Sequence, residues 1–88
     1  MTKKRKEVRK VKNLERVREI RAKLEKHCLT VQWLVYRLYA DHGLAVNRSG
    51  LSHILSGERV SGEQTETVIN ACEAIIDKYE SHYKKEGA

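Results

Sequence analysis

The chain has no proline and only five glycines among its 88 residues. The glycines lie mostly between segments of helical hydrophobic periodicity, so glycine marks the boundaries of the structural elements. These features predict an all-α protein. A chain of this length forms one small domain with a modest core.

Long uncharged runs are also missing. The longest is His27 to Tyr36, which is ten residues, whereas a helix that crosses a bilayer needs about 20. The basic N-terminus is not followed by the apolar region of a signal peptide. We therefore expect the protein to remain in the cytoplasm.

Cysteine and histidine are too sparse for a disulfide framework or a metal site. Cys28 and Cys72 are the only cysteines, and we interpret them as small apolar residues on helix faces. The four histidines show no i, i+4 pairing that would favour a metal. No nucleophile, base and orienting group combine in the sequence, and no phosphate-binding glycine loop is present. We expect no metal, no cofactor and no enzymatic activity.

Positive charge is concentrated at one end of the chain. Residues 1–26 carry a balance of +8, while residues 27–88 carry −2. Such a basic block is either a solvated tail or the electrostatic footprint of a nucleic-acid-binding protein. Within it, residues 1–12 have little to bury, so we predict a flexible basic arm preceding a domain over residues 13–88. If the partner is a nucleic acid, the arm residues that would contact it are Lys3, Lys4, Arg5 and Lys6.

The first helix is predicted to begin after a cap at Asn13 and to end near His27. Its apolar positions recur every three or four residues; they are Leu14, Val17, Ile20 and Leu24. An earlier start remains open, because Val8 and Val11 continue the spacing.

A second helix is predicted from a Thr30 cap to Gly43, with an inward face formed by Leu34, Val35 and Leu38. Three aromatic residues on this helix, Trp33, Tyr36 and Tyr39, allow two interpretations. They complete a small core, or one of them lies against a phosphate or a partner subunit.

A short third helix is predicted within residues 46–59. Asn47 is a favourable N-cap and Gly57 a favourable C-terminal stop, while Leu51, Ile54 and Leu55 share one face. The other faces carry short polar or donor side chains, namely Arg48, Ser49, Ser52, His53 and Ser56. Gly50 costs about 1 kcal/mol of helix propensity relative to alanine. Close approach to DNA or simple tolerance in a packed domain would each explain it.

The last helix is predicted over residues 62–84, with Ser61 and Gln64 forming a capping box. Val68, Ala71 and Ile75 form one apolar stripe that faces the core. A second stripe predicts a dimer interface; its members are Ile69, Cys72, Ile76, Tyr79 and Tyr83. Alternatively, the first helix and residues 39–45 cover this stripe within one chain.

These segments together resemble the lambda-repressor-like helix-turn-helix family of the Cro/CI or XRE type. The resemblance rests on Leu29-Thr30 with Trp33-Leu34-Val35, on Val46 to Gly57, and on Thr67 to Ile75; its most specific part is Leu51-Ser52-His53-Ile54-Leu55-Ser56-Gly57. It implies a small four- to five-helix domain with an extended C-terminal helix. Two features depart from the family. The spacing from Leu34 to Asn47 is longer, and Leu24 and Leu55 stand where many members have an ion pair.

The resemblance implies a sequence-specific DNA-binding transcriptional regulator of the phage repressor/Cro type, which binds a two-fold symmetric operator as a homodimer. The helix over residues 48–56 would enter the major groove. The implied DNA contacts are Arg48, Ser49, Ser52, His53, Ser56 and, just beyond the helix, Arg59. Only two basic residues lie within residues 46–59, so two alternatives stay open. One is a protein-interaction module on the same scaffold (an antirepressor, antitoxin or inhibitor), and the other is a non-specific nucleic-acid-binding protein.

Overall fold

A computed structural model describes the backbone of residues 2–87 and the side chains of residues 10–82. It contains four helices: α1 (Thr2–Lys26), α2 (Val31–His42), α3 (Arg48–Leu55) and α4 (Glu63–Gly87). No strand occurs within residues 2–87, so the all-α prediction is confirmed. None of these helices is long and apolar enough to cross a membrane.

All four helices contribute to a single hydrophobic core. Helix α4 packs against α1 and α2, and α3 packs against the same two helices from another side. Leu34, Leu38 and Leu51 are fully buried at its centre. The core therefore joins the short helix α3 to the two longest helices.

The predicted dimer stripe on α4 lies inside this core. Ile69, Cys72 and Ile76 are 0%, 1% and 2% exposed, because α1 and α2 pack on both flanks of α4. Tyr79 is half-buried, with its ring 5.6 Å from that of Trp33. The prediction of a dimer interface is wrong for Ile69, Cys72 and Ile76. The alternative is correct for the first helix, but α2 takes the place that we assigned to residues 39–45, which are mostly exposed. The side chain of Tyr83 lies outside the described residues.

The two cysteines differ in their surroundings. Cys72 is buried, and desolvation followed by the nearby charge of Glu73 raises the pKa of its thiol to about 12. Cys28 is exposed in the turn after α1, where its φ is 57°. The interpretation as residues on helix faces therefore holds for Cys72 and is wrong for Cys28.

Helix α1 starts well before the predicted cap. Residues 2–12 are helical, so they continue α1 instead of forming a separate arm, and Asn13 is an interior helix residue. The Asn13 side chain is 3% exposed, and its Nδ2 donates a hydrogen bond to the Val60 carbonyl at 2.7 Å. A buried polar group needs such a partner. Asn13 is thus a tie between α1 and the segment after α3, and its prediction as a cap is wrong.

Helix α2 begins and ends where the sequence predicts. The Thr30 hydroxyl accepts a hydrogen bond from the Trp33 amide, and Gly43 follows the helix with a φ of 65°. The longer spacing before α3 is therefore taken up by helix to His42 and a connection over residues 43–47. Trp33 packs against the core. Tyr36 and Tyr39 are 64% and 67% exposed, so their interpretation as core residues is wrong.

Helix α4 begins one residue after the predicted start. Gly62 directly precedes it with a φ of 110°, a conformation that favours glycine, and its carbonyl accepts a hydrogen bond from the Glu66 amide at 2.9 Å. Gly62 therefore takes the position that we assigned to Ser61 as the helix cap.

Ion pairs fix α1 against α4. The Arg16 guanidinium binds both carboxylate oxygens of Glu73. Further along, Lys23 Nζ lies 3.2 Å and His27 Nε2 lies 3.1 Å from the Glu80 carboxylate. The hydrogen bond from His27, followed by that from Lys23, holds the pKa of Glu80 below its ordinary value. These contacts set the register of the two long helices.

Because the second α4 stripe is buried within one chain, shortening one of its side chains should destabilise the fold. Ile69→Ala should lower the free energy of unfolding by about 2 to 5 kcal/mol, because it leaves a cavity in the core. Val11→Ala is the matched control at a site that is 55% exposed, and it should change stability by less than about 0.5 kcal/mol. Urea denaturation at several protein concentrations measures both. A midpoint of the wild type that rises with protein concentration, and that no longer rises in Ile69→Ala, would restore the stripe as a dimer contact.

Candidate nucleic-acid interface

Helix α3 has a defined beginning and end. The Asn47 side-chain Oδ1 accepts a hydrogen bond from the Gly50 amide at 2.6 Å, as predicted for its N-cap. Gly57 has a φ of 90°, and a Cβ there would lie 2.9 Å from the Leu14 side chain. Both conditions favour glycine at this stop. These two ends restrict α3 to eight residues, one fewer than predicted.

Glycine at position 50 lies in close contact with the cap. A Cβ on Gly50 would lie 2.9 Å from the Asn47 Oδ1 atom that caps the helix. A larger residue at position 50 would require the Asn47 side chain to shift. This close contact is one reason that favours glycine, although a cap does not forbid a larger residue at the equivalent position, since the Thr30 hydroxyl caps the amide of Trp33.

One face of α3 packs and the others are open. Leu51, Ile54 and Leu55 are buried, as predicted. Five candidate contact residues are exposed; they are Arg48, Ser49, Ser52, His53 and Ser56. Ser56 follows the last helical residue, and its hydroxyl donates to the His53 carbonyl at 3.0 Å. Its oxygen lone pairs remain available as acceptors.

The segment after α3 folds back onto its C-terminal end. The Arg59 amide donates to the His53 carbonyl at 3.2 Å, while the Arg59 side chain is exposed. The Glu58 carboxylate binds His53 Nδ1. Sequence reasoning missed the role of Glu58, because the two residues are five apart and the helix ends between them.

A groove lies beside α3, between the end of α1 and the start of α2. Its volume is about 360 Å³, and it is lined by Arg21, Leu24, Glu25, Leu29, Val31, Ser52, Leu55 and Ser56. Arg21 thereby shares a surface with two candidate contact residues of α3. Arg21 is not a member of the apolar stripe that predicts α1. Its spacing of 4 from Val17 and 3 from Leu24 was the available signal that it lies at the edge of the packed face.

The ion pairs sort the basic side chains into two sets. Arg16 and Lys23 are held by carboxylates of α4, and Arg37 lies 2.7 Å from Asp41. Within residues 10–82, eight basic side chains form no ion pair with a carboxylate. Three of them, Arg21, Arg48 and Arg59, lie in α3, just after it or in the groove beside it; the others are Lys10, Lys12, Arg18, Lys26 and Lys78. Uncompensated cations are what a polyanion attracts. Part of the positive charge available to a partner therefore lies around α3.

The structure does not describe the remaining candidate side chains, and the comparisons with known proteins found no relative. The side chains of Lys3, Lys4, Arg5 and Lys6 lie outside the described residues. In the described part of the chain, no three His, Cys, Asp or Glu residues form a group that would hold a metal. A scan against protein-family models and searches of curated proteins and of solved structures gave no match.

The contact between Asn47 and position 50 predicts non-additive substitutions. Gly50→Ala should gain less than the full helix propensity of about 1 kcal/mol in the wild type, because its Cβ displaces the Asn47 side chain and weakens a cap worth about 0.5 to 2 kcal/mol. In an Asn47→Ala background no cap remains to be displaced, so Gly50→Ala should stabilise the protein by about 1 kcal/mol. Thermal unfolding of the four proteins measures the coupling. Equal effects of Gly50→Ala in both backgrounds would contradict this account of the glycine.

Proposed function

We propose that the protein is a DNA-binding transcriptional regulator with a lambda-repressor-like helix-turn-helix fold, acting in the cytoplasm without enzymatic activity. Helices α2 and α3 are the helix-turn-helix pair, and α3 is the recognition helix. In this proposal α3 enters the major groove with its N-terminal residues against base edges.

The observation that carries this proposal is the combination of shape and charge at α3. A short helix with defined ends exposes small polar side chains, beginning with Ser49 and Ser52, that permit close approach of another molecule. The cations around it have no carboxylate partner in residues 10–82, whereas Arg16 and Lys23 of α1 are paired with α4. Unpaired cations of this kind bind favourably to the phosphate backbone of DNA.

Each exposed residue has a role in the proposal. Arg48 donates two hydrogen bonds to guanine O6 and N7, and Ser49 and His53 contact neighbouring bases. Ser52 and Ser56 meet bases or phosphates. Phosphate contacts fall to Arg59, to Arg21 at the edge of the groove, and to the basic residues Lys3, Lys4, Arg5 and Lys6.

Two copies bind a two-fold symmetric operator in this proposal, with recognition helices about 34 Å apart. The surface joining the copies differs from the stripe we first predicted, because Ile69, Cys72 and Ile76 are buried within one chain. Sedimentation of the protein with full and half operators measures this stoichiometry.

A protein partner is the second candidate. It is favoured by the exposure of Tyr36 and Tyr39 on α2, since aromatic side chains are enriched where proteins meet. In that case the protein would show a stoichiometric protein partner and no affinity for DNA.

Selection of binding sites from random DNA tests the proposal, and substitutions then assign the contacts. Arg48→Ala should cost about 1 to 3 kcal/mol on the selected site and relax specificity at one base pair per half-site. Arg21→Ala should weaken binding to all DNA and make the slope of log K against log salt shallower by about 0.9. Lys26→Ala is the matched control on α1, because Lys26 is exposed and lies about 140° around the helix axis from position 21.

Failure to enrich any DNA sequence would overturn the sequence-specific role. Equal losses for Arg48→Ala on selected and random DNA would make Arg48 a phosphate contact and remove its assigned role in base reading. Equal salt slopes for Arg21→Ala and the wild type would contradict the phosphate contact at the groove.

A further inference from the structure

A hydrogen-bonded pair stands on the open surface of α3. The Glu58 carboxylate binds Nδ1 of His53; the His53 side chain is 59% exposed and that of Glu58 is 66% exposed. Glu58 comes from the segment that folds back after the helix, where the Glu58 amide donates to the His53 carbonyl at 3.1 Å. One glutamate thus contacts both the backbone and the ring of the same histidine.

This contact decides which ring nitrogen carries the proton. An ionised carboxylate only accepts hydrogen bonds, so Nδ1 of His53 must be the donor. In a neutral imidazole the other nitrogen, Nε2, then has a free lone pair. No hydrogen bond engages Nε2 of His53 within residues 10–82.

We propose that Glu58 is a positioning residue that fixes the neutral ring of His53 in its Nδ1–H form, so that α3 presents Nε2 as a hydrogen-bond acceptor. The consequence for base selection rests on the proposed function, while the state of the ring does not. His53 would read DNA as an acceptor only as long as Glu58 holds its other nitrogen.

An acceptor at this position selects a particular base chemistry. In the major groove, adenine N6 and cytosine N4 offer amino donors, whereas guanine offers the acceptors N7 and O6. An Nε2 lone pair therefore favours adenine or cytosine and disfavours guanine at the base that it faces. Without Glu58 the ring is free to carry its proton on Nε2 and to donate to guanine N7.

The pair contributes little to the stability of the free protein and more to recognition. An exposed hydrogen bond or ion pair contributes little to stability, so loss of Glu58 leaves the fold intact. When α3 meets DNA, water leaves the surface and the same hydrogen bond strengthens in the lower dielectric. The role of Glu58 is thus expressed mainly in the complex.

The first experiment measures the ring itself, without DNA. Nitrogen-15 spectra that correlate ring nitrogens with ring protons distinguish the two neutral forms, and His53→Ala assigns the signals. We expect Nδ1 of His53 to carry the proton in the wild type at the alkaline end of a titration, and the proton to move toward Nε2 in Glu58→Ala. Glu25→Ala is the control, because it removes an equal charge from the groove beside α3 without touching His53. A wild-type ring protonated on Nε2, or one unchanged in Glu58→Ala, overturns the inference.

The second experiment measures base preference by site selection with the same three proteins. Glu58→Ala should reduce the preference for adenine or cytosine over guanine at one position per half-site by about 3- to 10-fold, which is the effect of losing one hydrogen bond. Glu25→Ala should leave that preference unchanged. An unchanged preference in Glu58→Ala overturns the role in specificity. If the wild type selects no DNA, the proposed function fails, and the ring measurement alone decides the state of His53.

Discussion

Burial of one face of α3 is the constraint on which the candidate interface depends. An isolated helix of eight residues is not stable in water, because too few hydrogen bonds offset the cost of nucleation. Leu51, Ile54 and Leu55 supply the missing stability by packing into the common core. Two further ties act at the ends of α3, the Asn47 cap and the Asn13 bond to the Val60 carbonyl. The exposed side chains of α3 are therefore carried on a fixed backbone.

The division of charge within the fold is the second feature on which the candidate interface depends. Carboxylates of α4 bind Arg16 and Lys23, so one flank of α1 is neutralised by intramolecular contacts. The flank of α1 that borders α3 keeps Arg21 in the groove with Ser52 and Ser56. One basic helix thus serves two purposes. Its paired face holds α4 in place, and its unpaired face adds positive charge beside α3.

Local signals predicted the ends of α2 and α3. Contacts between residues far apart in the sequence could not be predicted in this way. Thr30, Gly43, Asn47 and Gly57 act within a few residues of their own positions, so their roles could be predicted from the sequence. The buried role of Asn13 could not, because its partner Val60 is 47 residues away. In the sequence alone, an asparagine just before an apolar stripe looks like a helix cap, and nothing near it indicates a buried partner elsewhere in the chain.

The double stripe on α4 shows the same limit for hydrophobic patterns. Periodicity predicted correctly that Ile69 and Ile76 need burial, but it could not tell a partner subunit from α1 and α2 of the same chain. The pair of His53 and Glu58 was missed because it spans a helix end, where helical spacing no longer applies. In the candidate interface, composition and capping located α3, and only the fold brought Arg21 and Glu58 to it.

Amide chemical-shift mapping during titration with a selected DNA duplex tests the central claim most directly. The account predicts that the largest changes occur in α3 and in the adjacent turn of α1 around Arg21, while the buried stretch of α4 around Cys72 changes little. Changes concentrated at Tyr36 and Tyr39 with α3 unaffected, or no saturable change with any duplex, would contradict it.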